Sequence, residues 1–141
     1  MLETDCIFFQ LAKVHQLANR FLSQKVSELN ITSVQAMVLG FLEKEDQITS
    51  SELGKRTELD SATLTGLLDR LEATGFIERK GNPGDRRSIH IHLTKKGKAM
   101  SREATRVIAE SNLEFLQGLT LAEKQDLHGI IKKLRLLAPG S

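Results

Sequence analysis

Between Gly75 and Thr94 the apolar residues of this chain change period. On either side they recur every three or four positions, as on one face of a helix; inside the segment they alternate. Ile89, Ile91 and Leu93 fall on one side of an extended chain, with Ser88, His90 and His92 on the other. Gly81-Asn82-Pro83-Gly84-Asp85 is turn chemistry, and 76–80 reads as the strand before it. The segment is a β-hairpin set among helices. The fold class that follows is mainly α with one small hairpin.

The helical stretches carry their own start and stop signals. Residues 3–29 place Ile7, Leu11, Val14, Ala18 and Phe21 in one stripe, widened by Phe8, Leu22, Val26 and Leu29. Thr32 with Gln35 predicts a capping box, in which each side chain satisfies an orphan backbone N–H of the other. The helix behind it runs to about 44 and is expected to bury Val34, Met37, Val38, Phe41 and Leu42. Thr49 with Glu52 predicts a second box and a short helix to about 57, with Leu53 inward. Asp60 or Ser61 caps a helix through 74, with Leu64, Leu67, Leu68 and Leu71 inward. Gly75 then stops it by accepting the left-handed conformation. Thr94 caps a long helix over 95–117. Thr120 with Glu123 opens another over 120–137, striped by Leu127, Ile130, Ile131, Leu134 and Leu137.

The chain therefore reads as one domain, 1–141, with a compact lobe at 32–93. The flanking helices 3–29 and 95–137 carry apolar stripes that 141 residues have few other ways to cover. They are expected to pack on one another and on a second copy of the chain.

Charge is focused. The stretch 79–98 holds seven Lys/Arg against one acid, Asp85, while the whole chain has a formal net charge of only +2. Such a patch suggests an anionic partner. Two successive short helices followed by a basic hairpin form the pattern of a winged helix-turn-helix. In that arrangement the second helix enters the major groove, and its exposed N-terminal residues Ser61, Thr63 and Thr65 can hydrogen-bond phosphates or base edges. The hairpin tip presents Arg86 and Arg87, with Asp85 placed to orient a guanidinium. Arg79 and Lys95 flank the hairpin and complete the cations assigned to DNA. Lys95, Lys96 and Lys98 sit unfavourably for the helix dipole, which favours a phosphate-facing role.

The run 85–97, Asp-Arg-Arg-Ser-Ile-His-Ile-His-Leu-Thr-Lys-Lys-Gly, resembles the wing signature of the multiple-antibiotic-resistance regulator (MarR) family: an Asp, an Arg two later, a strand, then Leu-Thr-x-x-Gly. The segment 59–71 is similar to that family's recognition helix, and 75–79 to the lead-in to its wing. The helix order matches over essentially the whole chain. The resemblance implies a homodimer joined by its first and last two helices, and a pseudo-palindromic double-stranded DNA operator with half-sites about one helical turn apart. It implies a repressor released by a small molecule or an oxidant. It places Arg87 at the minor groove with Asp85 as its support, Ser61, Thr63 and Thr65 at the major groove, and Arg70 near the DNA backbone.

The sensor leaves two readings. Cys6 is the only cysteine, which excludes an intramolecular disulfide. The organic-hydroperoxide-resistance subgroup carries a sensing cysteine at about this place, together with tyrosines, whereas this chain has no tyrosine. Cys6 is thus either a redox switch or a small hydrophobe on an interface helix. The family's other mode of sensing is a small aromatic ligand held between the dimer helices and the DNA-binding lobe, and Phe8, Phe9, Phe21, Phe41 and Phe115 are the candidate lining. His90 and His92 lack partners for a metal site. No phosphate loop or nucleophile motif suggests an enzyme, and no cofactor is expected. No apolar run is long enough to span a membrane, and the acidic N-terminus lacks a signal-peptide pattern; cytoplasm is the expected compartment. A winged helix used only for protein contacts is the rival class, and the basic hairpin argues for DNA.

Overall fold

The computed structural model describes residues 5–82 and 85–140, with side chains for all of these except 82 and 85–87. The roles expected of Asp85, Arg86 and Arg87 therefore lie outside the described side chains.

The first helix, α1 (Ile7–Val26), is followed by a 3-10 turn at Ser27–Leu29 that Asn30 closes in the left-handed conformation. It starts at Ile7, the first residue of the apolar stripe, rather than at the expected bound of 3. Cys6 has extended backbone and occupies the N-cap position, its carbonyl accepting the first helical bond from Gln10 N–H at 3.1 Å. α2 (Ser33–Lys44) has the complete expected capping box: Gln35 N–H donates to Thr32 Oγ1 at 3.1 Å, and Thr32 N–H to Gln35 Oε1 at 2.9 Å. α3 (Ser50–Thr57) has half of one. Thr49 accepts from Glu52 N–H, but the Glu52 carboxylate turns to the Arg56 guanidinium, since a charge-assisted bond outweighs one to a neutral amide. α4 (Ser61–Ala73) is capped by Asp60 and ends before Gly75, which adopts φ +81° as expected.

β1 (Ile77–Asn82) and β2 (Asp85–Leu93) pair antiparallel, Ile77 opposite Leu93 and Arg79 opposite Ile91, with an irregularity at Gly81/Asn82. The ladder extends further towards the tip than the turn-rich sequence 81–85 suggests. α5 (Lys95–Phe115) and α6 (Leu121–Leu137) complete the chain, and the Thr120/Glu123 capping box is fully formed.

The hairpin is not left to itself. Ile48 accepts a hydrogen bond from Ile91 N–H at 2.8 Å, and Thr49 bridges to His90 as a fragment of a third strand. Asp46 Oδ1 accepts from Leu93 N–H at 2.9 Å, so the loop between α2 and α3 grips the root of β2. The inward leucines of α4 join Leu53, Ile77, Ile91, Leu39 and Leu42 in one core. Two expected core residues are elsewhere: Met37 is 42% exposed and Phe41 38%. α2 is contacted by α1, α3 and α5 on different sides, and Ala36 and Leu39 fill the core while Met37 and Phe41 face a groove against α5.

Where α5 begins, backbones meet without a side chain between them. Thr94 Oγ1 accepts from Gly97 N–H and donates to the Gly75 carbonyl at 2.6 Å. A Cβ on Gly97 would lie 1.8 Å from the Phe76 carbonyl oxygen. Backbone cannot yield as a flexible side chain can. Gly97→Ala is therefore expected to lower stability by at least the roughly 1–3 kcal/mol typical of overpacking, measured as a drop in the urea unfolding midpoint; an unchanged midpoint would show that the junction can open.

Candidate nucleic-acid interface

α3, a turn containing left-handed Glu58, and α4 form the helix-turn-helix. A groove between the helices is lined by Ser50, Ser51, Lys55, Ser61 and Thr65. Ser61, Thr63, Thr65 and Arg70 are all exposed on α4, because Leu64, Leu67, Leu68 and Leu71 turn the opposite face into the core. The hydroxyls are not equivalent. Thr63 donates to Asp60 Oδ2 at 2.7 Å and Thr65 to the Ser61 carbonyl at 2.8 Å. Both therefore offer acceptor lone pairs and a methyl group rather than a free proton. Bonds from the Thr63 backbone N–H and then its hydroxyl hold the Asp60 carboxyl below the usual carboxylate range, so the cap is ionised at neutral pH.

The cations divide into two groups. Arg70, Lys95 and Lys98 are exposed, and Arg70 forms no ion pair among the described residues. Lys96 is committed: its Nζ donates to the Thr74 carbonyl at 2.7 Å and lies 4.9 Å from the centroid of the Phe76 ring. Arg79, read from the sequence as a DNA contact, is turned towards α4. Its Nη2 lies 2.7 Å from Asp69 Oδ1 and 3.1 Å from Glu72 Oε1, while Nε and the backbone N–H both reach Glu72 Oε2. Both acids are near neighbours of Arg70 in the chain, but the strand supplies the guanidinium that pairs with them. Arg79 holds the Glu72 carboxyl below its ordinary range, by its side chain first and its backbone N–H second. Glu72, then Asp69, hold the Arg79 proton more tightly in return.

His90 and His92 are half-buried, opposite Lys80 and Glu78 in the ladder. Among the described residues no group of three or more His, Cys, Asp or Glu could hold a metal ion. Cys6 is a half-buried free thiol. No helix among those residues is long and apolar enough to cross a membrane.

An open, apolar-walled cavity of about 600 Å³ lies between α2 and α5, lined by Met37, Gly40, Phe41, Glu43, Lys44, Thr105 and Ile108. The Thr105 hydroxyl donates to the Glu43 carboxylate beside it. Of the five phenylalanines expected around a ligand, Phe41 alone lines this cavity. Phe21 and Phe115 pack together at 5.5 Å between centroids, beside a separate cavity of about 130 Å³. Phe8 and Phe9 are exposed on α1. Met37, Phe41 and Lys44 stand at positions i, i+4 and i+7 of α2. That spacing is visible in the sequence, although its destination is not.

The comparisons with known proteins agree with this geometry. Residues 29–88 match the model of the MarR family. The chain is 34% identical over 122 residues to the multiple antibiotic resistance protein MarR of Escherichia coli, covering 86% of this chain and 85% of that protein. A crystal structure of a mutant of that relative, complexed with operator DNA, matches with a TM-score of 0.84 at 31% identity, over 95% of this chain and 98% of the other. The organic hydroperoxide resistance transcriptional regulator of Bacillus subtilis is 33% identical over 103 residues, or 73% of this chain and 69% of its own. The PcaV transcriptional regulator of Streptomyces coelicolor, in complex with its natural ligand, matches with a TM-score of 0.88 at 25% identity, over 98% and 97% of the two chains. A helix-turn-helix with an exposed polar recognition face, a hairpin anchored beside it and these relatives lead to one assignment: the chain belongs to the MarR family of winged-helix, DNA-binding transcriptional regulators.

Proposed function

We propose that this protein is a homodimeric repressor that binds a pseudo-palindromic operator and leaves it when a small, largely apolar molecule fills the cavity between α2 and α5. The observation that carries the reading is the exposed polar face of α4, held rigidly beside a cation-bearing hairpin. In this reading Ser61, Thr63 and Thr65 meet the major groove, Arg70 and Lys95 meet phosphates, and Arg86 and Arg87, supported by Asp85, extend the contact along the wing. Its work is binding in the cytoplasm rather than chemical turnover.

The unpartnered apolar surface supports the dimer. No residue of α6 is buried within one chain, and α1 leaves Ile7, Phe8, Leu11, Val14 and Leu17 exposed. A second copy would cover these faces, leaving 32–93 as the DNA-binding lobe and 3–29 with 95–137 as the dimerisation helices. The cavity supports ligand control because α2 belongs to the lobe and α5 reaches out of it. A molecule wedged between them would change how the lobe is carried.

Affinity for DNA upstream of the protein's own gene, followed by fluorescence anisotropy across a salt series, tests the reading. Binding should weaken steeply as salt rises, since phosphate contacts release counterions; a flat response would favour a module that contacts proteins. Arg87→Ala should cost about 1–3 kcal/mol of operator affinity with the dimer intact, and Arg70→Ala should lower the salt slope by about one. Unchanged affinity in either variant removes that residue from the interface. Under ligand control an organic hydroperoxide leaves operator binding intact in both wild type and Cys6→Ser. Release in the wild type alone would make Cys6 the switch.

A further inference from the structure

We infer that Arg79 is a positioning residue of the DNA-binding surface, fixing the angle between the hairpin and the recognition helix without itself touching DNA. The inference rests on the operator-binding reading above and goes beyond it by assigning the element that aligns the two contact surfaces.

Arg79 lies on β1 opposite Ile91, whose side chain is fully buried, so its backbone is anchored. From there the guanidinium reaches two acids on α4 three residues apart, Asp69 at 2.7 Å and Glu72 at 3.1 and 3.3 Å, and the backbone N–H adds a bond of 3.0 Å to Glu72. Among the described residues this is the only hydrogen-bonded tie between α4 and the two strands. The leucines of α4 hold that helix in the core, but the hairpin runs outward beyond it. Apolar packing near the root resists separation more than it resists swinging. A planar guanidinium gripped by two carboxylates, one of which also accepts from the Arg79 backbone N–H, has one orientation, so it resists the swing. It also offsets one of the two negative charges on the helix that must approach phosphates. Arg79 is 28% exposed, and its Nε and Nη2 atoms are already engaged.

The test compares wild type with Arg79→Gln, Arg79→Lys, Glu72→Gln and the Arg79→Gln/Glu72→Gln double variant. The measurements are operator affinity across a salt series, amide hydrogen exchange over 77–82 and 88–93 in the DNA-free protein, and an NMR titration of the Glu72 carboxyl. Arg79→Gln and Glu72→Gln are each expected to weaken operator binding about tenfold. The double variant should be no weaker than the worse single one, because both remove one interaction. The salt slope should stay at its wild-type value. Arg79→Lys keeps the charge but not the fork, and should fall between wild type and Arg79→Gln. In Arg79→Gln the hairpin amides should exchange faster, and the Glu72 carboxyl should titrate upward towards the ordinary glutamate range.

A contact residue gives the opposite pattern. If Arg79 binds a phosphate, Arg79→Gln lowers the salt slope by about one and Glu72→Gln, which frees the guanidinium, tightens binding. Either result overturns the inference, as does unchanged operator affinity in Arg79→Gln. Loss of salt dependence in the wild type would instead defeat the operator reading; exchange and titration, which involve no DNA, would still decide whether Arg79 holds the hairpin.

Discussion

The close approach of Gly97 to the Phe76 carbonyl is the contact on which the DNA-binding half depends. The end of α4, the start of β1, the end of β2 and the start of α5 converge within a few residues of it. Thr94 serves three of them: it ends the hairpin, caps α5 through Gly97 N–H and bonds the Gly75 carbonyl. Lys96 adds a bond to the Thr74 carbonyl from the next turn. The Leu-Thr-x-x-Gly run is thus a backbone joint. Threonine supplies a donor and an acceptor, and glycine supplies the missing volume.

Local order in this protein is written in local sequence. The capping pairs Thr32/Gln35 and Thr120/Glu123, the stop at Gly75 and the alternation of Ile89, Ile91 and Leu93 each involve residues within a few positions of one another. All of them are present in the structure. The half-formed box at Thr49 shows the limit of such rules: Glu52 had two partners in reach, and the charged one prevailed. The grip of Asp46 and Ile48 on β2 was not legible, because it joins residues more than forty positions apart and leaves no periodic mark.

The candidate site was legible in outline and not in detail. Which face of α4 is exposed follows from its leucines. Which arginine faces outward does not, since Arg70 stands much nearer than Arg79 to Asp69 and Glu72 in the chain, yet the strand brings Arg79 to both acids. Likewise Met37 and Phe41 read as core because a helix with several neighbours has more than one apolar face. The α2–α5 groove exists only once α5 has been laid across α2.

α5 is continuous from that joint to the edge of the apolar surface around Leu113 and Phe115. Its 21 residues make a rod about 30 Å long, at about 1.5 Å per residue. Tilting such a rod by roughly five degrees displaces its far end by about 2.6 Å, whereas a hydrogen bond to a base edge tolerates only about half an ångström. With glycine against carbonyl at one end, little of that motion can be absorbed as slack. The joint welds the helix to the DNA-binding half, so when the far end is the fixed one, a tilt too small to disturb packing there carries the DNA-binding half further than a base contact tolerates.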